Sequence, residues 1–121
     1  GTVQPFGSPG SEVVGQAQMQ AFLNVHVFGM SPQAAVEAPR IASYSWPGSA
    51  LPHSYKPGRI NLEGRIDKAT GDALSALGHD VEWWPDFKWL AGSVCTVRVD
   101  GQTGLREAGA DPRRTAYAVG W

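Results

Sequence analysis

A chain of 121 residues with ten basic and eleven acidic side chains carries a formal net charge of −1, which leaves no electrostatic case for nucleic acid or an anionic membrane as partner. Hydrophobic residues make up 42% and charged residues 17%, the mix of a single globular segment spanning residues 1–121, and no apolar run nears the ~20 residues that cross a bilayer. The single cysteine, Cys95, excludes an internal disulfide framework and a thiolate metal cluster, and it leaves the compartment open between cytoplasm and periplasm.

In chain order, "TVQPF" reads as a strand that Pro5 confines to an edge or a strand end. The chain opens on Gly1 with no slack ahead of this strand, so the sequence is expected to be the end of a longer polypeptide. "FGSPGS" then makes a stiff corner into a helix over Gln16–Phe28, whose apolar residues Ala17, Ala21, Val25 and Phe28 fall on one face. Gly29 stops it, and Ser31 and Pro32 start a second, short helix that Pro39 halts. "RIASYSW" is β-rich, "PGSALPHSYKPG" is a long connection, and "RINLEGRI" alternates as a strand. Asp67 caps a further helix that Gly78 ends. "VEWWP" is a short strand, two strands flank the Asp-Gly loop after Cys95, and "YAVGW" reads as a terminal strand. The pattern is α+β, with helices packed on one face of an antiparallel sheet and part of a sandwich missing.

Most chemistry-bearing residues have a structural explanation. His26 reads as a half-buried helix residue, His79 as a cation at a helix C-terminus, and His53 as a loop residue without a dyad partner. No histidine stands at metal-ligand spacing, so neither metal nor cofactor is expected. Cys95 reads as a small core residue, Ser8 lacks a nucleophile-elbow frame, and Glu63 with Asp67 reads as a surface charge and a cap. Trp83 and Trp84 point to opposite faces of their strand. In "ADPRR", Asp111 caps its own turn, Pro112 stiffens it, and Arg113 is a structural clamp for a carboxylate or carbonyl. The opening corner is different. N–H groups near Gly10 and Ser11 precede a helix, lack intrahelical acceptors and sit at the positive end of its dipole. Such a pair suits an oxyanion, although composition alone reads the corner as a plain strand-to-helix turn.

Five stretches in register, "FGSPGS", "QAQMQAFLNVHVFGMSPQAAVEAPRI", "NLEGRI", "ALSALGHDV" and "GADPRRTAYAVGW", resemble the gamma-glutamyltransferases. The resemblance covers nearly the whole chain and points to the C-terminal part of that family's small subunit. It implies the C-terminal portion of an N-terminal-nucleophile hydrolase αββα sandwich, built from a precursor that cuts itself to expose a catalytic threonine. That threonine would lie upstream of Gly1; Thr2 lacks the surrounding motif. The partner implied is the remainder of the same precursor, and the substrate a small-molecule amide such as a γ-glutamyl amide. The family's adjacent glycine pair, source of the oxyanion-hole N–H groups, falls here on Gly10 and Ser11. Serine in the second place, and "PRIASYSWPGSALPHSY" after the Pro-Arg, mark a divergent branch. A related acylase acting on another small amide or a β-lactam side chain, and a non-catalytic binding domain of the same fold, are the alternatives.

Overall fold

The structure, a computed structural model, describes residues 1–120. Among the described residues there are two sheets, three α-helices and a single 3-10 turn at Trp89–Ala91. In the first sheet β6 (Cys95–Asp100) is central. It pairs on one side with β1 (Thr2–Val3) and β2 (Phe6–Gly7), and on the other with β7 (Arg106–Ala110), all antiparallel. β1 and β2 are one edge strand broken by Pro5, which has no N–H to give. Its carbonyl still accepts from the Val97 N–H at 3.2 Å and the Thr96 hydroxyl at 2.9 Å. The β6–β7 hairpin turns where expected, the Asp100 carboxylate accepting from the Gln102 and Thr103 N–H groups, both at 2.8 Å.

The second sheet runs β3 (Ile41–Ser43), β4 (Arg59–Glu63), β5 (Asp80–Trp84). β3 and β4 are antiparallel, but β4 and β5 are parallel, joined by a crossover through α3 (Lys68–Ala76). That parallel pair departs from the all-antiparallel expectation, and the reason is local. A helix between two strands brings the chain back to the same end of the sheet. Asp67 caps α3 through the Ala69 N–H at 3.1 Å, and Gly78 has φ of +95°, as expected of a cap and a stop. α3 lies so close to β5 that a Cβ on Gly71 would stand 2.4 Å from the Trp83 ring. Trp84, on the opposite face, is buried.

α1 (Val14–His26) starts two residues before the expected helix and ends two before its expected end. Ala17, Ala21 and Val25 are buried as read, whereas Phe28, beyond the helix, is 68% exposed. Small residues on the buried face let α1 approach Val36 of α2 (Pro32–Glu37) and Val94 ahead of β6. Ser31 caps α2, accepting from the Ala34 N–H at 3.3 Å. A second cluster of Val13, Ala42, Trp84 and Ala91 joins the corner before α1 to the second sheet.

Cys95 is exposed, contrary to the core assignment. Val94, just ahead of β6, and Thr96 on it are buried, while Cys95 and Val97 are exposed on the alternate face. Residues 117–120 form no strand, and the last residue of the expected "YAVGW" strand, Trp121, lies outside the described residues.

Candidate functional site

A buried ionic knot fixes the two sheets together. Arg40 precedes β3, Glu63 ends β4, and Asp111 and Arg113 follow β7. The Arg40 Nη1 lies 2.6 Å from Asp111 Oδ2, and Arg113 Nη2 lies 2.5 Å from Glu63 Oε2. Arg113 also donates to Asp111 Oδ1 at 3.1 Å and to the Val36 and Ala38 carbonyls, both at 2.8 Å. Glu63 accepts in addition from the Arg40 and Lys88 N–H groups, and Asp111 from that of Val94. Burial, the largest single influence, raises the Glu63 carboxyl; the hydrogen bond and charge of Arg113, with the Arg40 N–H and the charge of Arg65, together outweigh it and hold the group below the ordinary carboxylate value. Burial and the like charge of Arg113 lower Arg40; burial is also the largest single influence on Arg113 and lowers it, but the hydrogen bond to Glu63 and the charges of Asp111 and Glu63 together raise it above the ordinary guanidinium value. The clamp expected of Arg113 is present. Glu63 is a correction: it is fully buried at the centre of the knot, not a surface charge. Arg65, two positions on, also reaches Glu63 Oε2 at 3.2 Å, but the partners that bury the carboxylate, Arg40 and Arg113, lie 23 and 50 positions away.

The corner between β2 and α1 lies beside the knot's outer edge. Ser8 anchors it, its hydroxyl accepting from the Ser93 N–H at 3.0 Å and donating to the Pro9 carbonyl at 3.2 Å. Gly10 has φ of +140°, and a Cβ there would press on Val14 Cγ2 at 3.3 Å. Only glycine takes that conformation without strain. The Ser11 carbonyl accepts from the Val14 N–H at 3.1 Å. Among the described residues, neither the Gly10 nor the Ser11 N–H has a hydrogen-bond acceptor. Both residues line an open cleft of about 260 Å³ whose other walls include Tyr44, Trp89, Gly92 and Arg114.

Glu12, which the sequence did not single out, fastens this corner to the 45–58 connection. Its Oε1 accepts from the Ser49 N–H at 2.7 Å and the Ser49 hydroxyl at 2.9 Å, and its Oε2 from the Ser11 hydroxyl. These bonds, the Ser11 hydroxyl foremost, hold its carboxyl down at about 2. The serine in place of a second glycine thus points its hydroxyl at Glu12. The connection is bonded internally, the Gly48 N–H donating to Ser54 and the His53 ring meeting the Gly48 carbonyl at 2.7 Å, and to the chain just before it, the Lys56 N–H donating to Tyr44. His26 is exposed against the half-buried expectation, its ring 4.4 Å from that of Phe22. His79 is exposed just past α3. Among the described residues no three His, Cys, Asp or Glu side chains gather to hold a metal, and no helix is long and apolar enough to cross a membrane.

Residues 2–121 match the family model described as gamma-glutamyltranspeptidase. The glutathione hydrolase-like YwrD proenzyme of Bacillus subtilis (strain 168) is 34% identical over 115 residues, 95% of this chain and 21% of that protein. The structure of LmbA2991HD matches with a TM-score of 0.85 at 35% identity, covering 92% of this chain and 20% of that one. Cephalosporin acylase from Bacillus halodurans matches at 0.75 and 28% identity, covering 90% and 18%. The chain spans about a fifth of the length of each of these relatives.

Proposed function

The chain belongs to the gamma-glutamyltranspeptidase family, and from that premise we propose that it is the C-terminal part of an N-terminal-threonine amidohydrolase or transpeptidase, for which Gly10 and Ser11 supply the oxyanion hole. Its architecture is the expected α+β portion of an N-terminal-nucleophile hydrolase sandwich. The supporting observation is the pair of neighbouring N–H groups without acceptors, held beside a cleft by a glycine conformation that no other residue takes freely.

In this account the nucleophile comes from upstream of Gly1. The threonine hydroxyl attacks the amide carbonyl carbon while its own α-amine, with an ordinary pKa near ~8, takes the hydroxyl proton. The carbonyl oxygen becomes an oxyanion received by the Gly10 and Ser11 N–H groups. Each such donor is worth about a hundred- to a thousandfold in rate. Collapse breaks the C–N bond, the departing amine takes the proton, and water or an acceptor amine then frees the acyl group. The outward face of the first sheet, where Cys95, Val97, Tyr117 and Val119 line an open hollow of about 440 Å³, is where the remainder of the precursor packs. Apolar surface of that kind marks a covered face.

A γ-glutamyl 4-nitroanilide assay on the full-length protein and on residues 1–121 alone tests this. Turnover is expected from the full-length protein only; turnover by the isolated chain overturns the placement of the nucleophile. A second reading, an acylase for another small amide or a β-lactam side chain, draws on Ser11, whose Cβ narrows the room beside the oxyanion relative to glycine. It is favoured if the full-length protein cleaves such amides faster than the γ-glutamyl anilide. Cleavage of none of them leaves the non-catalytic binding domain.

A further inference from the structure

The corner that carries Gly10 and Ser11 is pinned at both ends. Ser8 is bonded to the Ser93 N–H ahead of it, and Val13 is buried with Ala42, Trp84 and Ala91 behind it. Helix α1 adds little to the middle: its N-cap residue, Val13, offers no side-chain acceptor, and its first turn holds no acidic residue. Gln16 reaches back to the Glu12 carbonyl through a long bond of 3.3 Å. Among the described residues, Glu12 is the one side chain between Pro9 and Val13 that bonds to a distant part of the chain. Its carboxylate spans two segments, Oε1 holding the Ser49 N–H and hydroxyl while Oε2 holds the Ser11 hydroxyl. Gly48 makes room for it, since a Cβ there would stand 3.2 Å from Glu12 Oε1. Gly48 in turn donates to the Ser54 carbonyl, so the carboxylate is seated on a loop closed on itself. Glu12 also lines the cleft, beside the Gly10 and Ser11 pair.

We propose that Glu12 is a positioning residue: clasped by Ser49, it holds Ser11 in place, so that the 45–58 connection braces the oxyanion hole from outside. A donor to an oxyanion is effective only when well aimed, and a misplacement of about 1 Å costs up to about a hundredfold in rate. The serine in the second place of the pair has a role here that glycine cannot take. Its hydroxyl links the residue that carries the donor to the clasp. The catalytic part of this inference rests on the hydrolase reading above; the bracing of the corner does not.

The test uses the full-length protein, wild type and as Glu12→Ala, Glu12→Gln and Gly48→Val, each checked for folding by thermal melting. The Val14 amide, bonded to the Ser11 carbonyl at 3.1 Å, reports by hydrogen exchange whether the corner is braced, without turnover. Hydrolysis of γ-glutamyl 4-nitroanilide, or of glutaryl 4-nitroanilide where that is faster, reads kcat and KM. Glu12→Ala is expected to speed Val14 exchange and to lower kcat, each by about tenfold, with KM within about twofold of wild type. Glu12→Gln keeps an oxygen for Ser49 and an amide for the Ser11 hydroxyl, and recovers kcat to within about threefold. Gly48→Val prises the clasp from the opposite side and lowers kcat with Glu12 intact. Action through the corner also predicts non-additivity: in a Gly10→Ala background, Glu12→Ala costs no more than about twofold further. A folded Glu12→Ala protein with wild-type kcat overturns the proposal, as do losses that multiply in the double variant. A raised KM at unchanged kcat overturns it too, by making Glu12 a substrate contact. Should Glu12→Ala not fold, wild-type kcat in Gly48→Val overturns it. If the wild type cleaves neither anilide, the hydrolase reading fails and the catalytic role with it, while Val14 exchange still decides the brace.

Discussion

The opening corner and the buried knot are neighbours that treat polar groups in opposite ways. In the knot, two arginines and two carboxylates from distant parts of the chain consume one another, with backbone partners completing the sets. At the corner, two backbone donors have no acceptor among the described residues and stand beside open space, next to a glycine at φ of +140°. A buried charge network that satisfies itself has nothing left with which to bind. Donors left unpaired beside open space keep their capacity for a hydrogen bond.

Substitutions in the two regions should separate along that line. Glu63→Gln removes the counter-charge of Arg113 and leaves a buried cation facing an amide, so the folded state should lose about 3–5 kcal/mol. Urea unfolding of the full-length protein measures it, and a loss under about 1 kcal/mol would mean that the knot behaves like a surface pair. Gly10→Ala should do the reverse. Strain at positive φ costs about 1–2 kcal/mol of stability, while displacement of the donors lowers kcat about tenfold or more with little change in KM. If kcat is unmoved, the corner is only a turn.

Glu12→Gln is the mildest change. It keeps one acceptor for the Ser49 N–H and should loosen the 45–58 connection, seen as faster amide exchange there, with the fold intact. The pH dependence sharpens the contrast. Glu12 and Glu63 both have folded-state values below their unfolded ones, so each stabilises fully above the ordinary carboxylate value of about 4.3 and loses that contribution as pH falls. For Glu12 the loss is spread down to about 2. Acid exchange in the connection should therefore vanish as a pH effect in Glu12→Gln, while global acid unfolding, driven by Glu63, persists.

What the sequence made legible was local chemistry. Ser31, Asp67 and Gly78 announced their caps because a cap is made within a few residues of itself. The Pro/Gly corner was visible for the same reason. Arg113 was recognisable as a clamp from its turn, but Glu63 and Arg40 were not, since the charged groups that complete their burial, Arg113 and Asp111, lie far along the chain. Cys95 misled because it sits among Val94, Val97 and Val99, an apolar-rich run that looks like a core strand although only Val94 and Thr96 are buried there. The parallel β4–β5 pair was implicit in strand, helix, strand and went unread.

The knot also sets an order on biosynthesis. Glu63 leaves the ribosome 50 residues ahead of Arg113, and Arg40 earlier still, so during translation both wait as ionised groups for partners not yet made. The sheets cannot be riveted until the "ADPRR" turn emerges, and a nascent chain halted before it should stay soft and vulnerable to proteases, however complete its helices are.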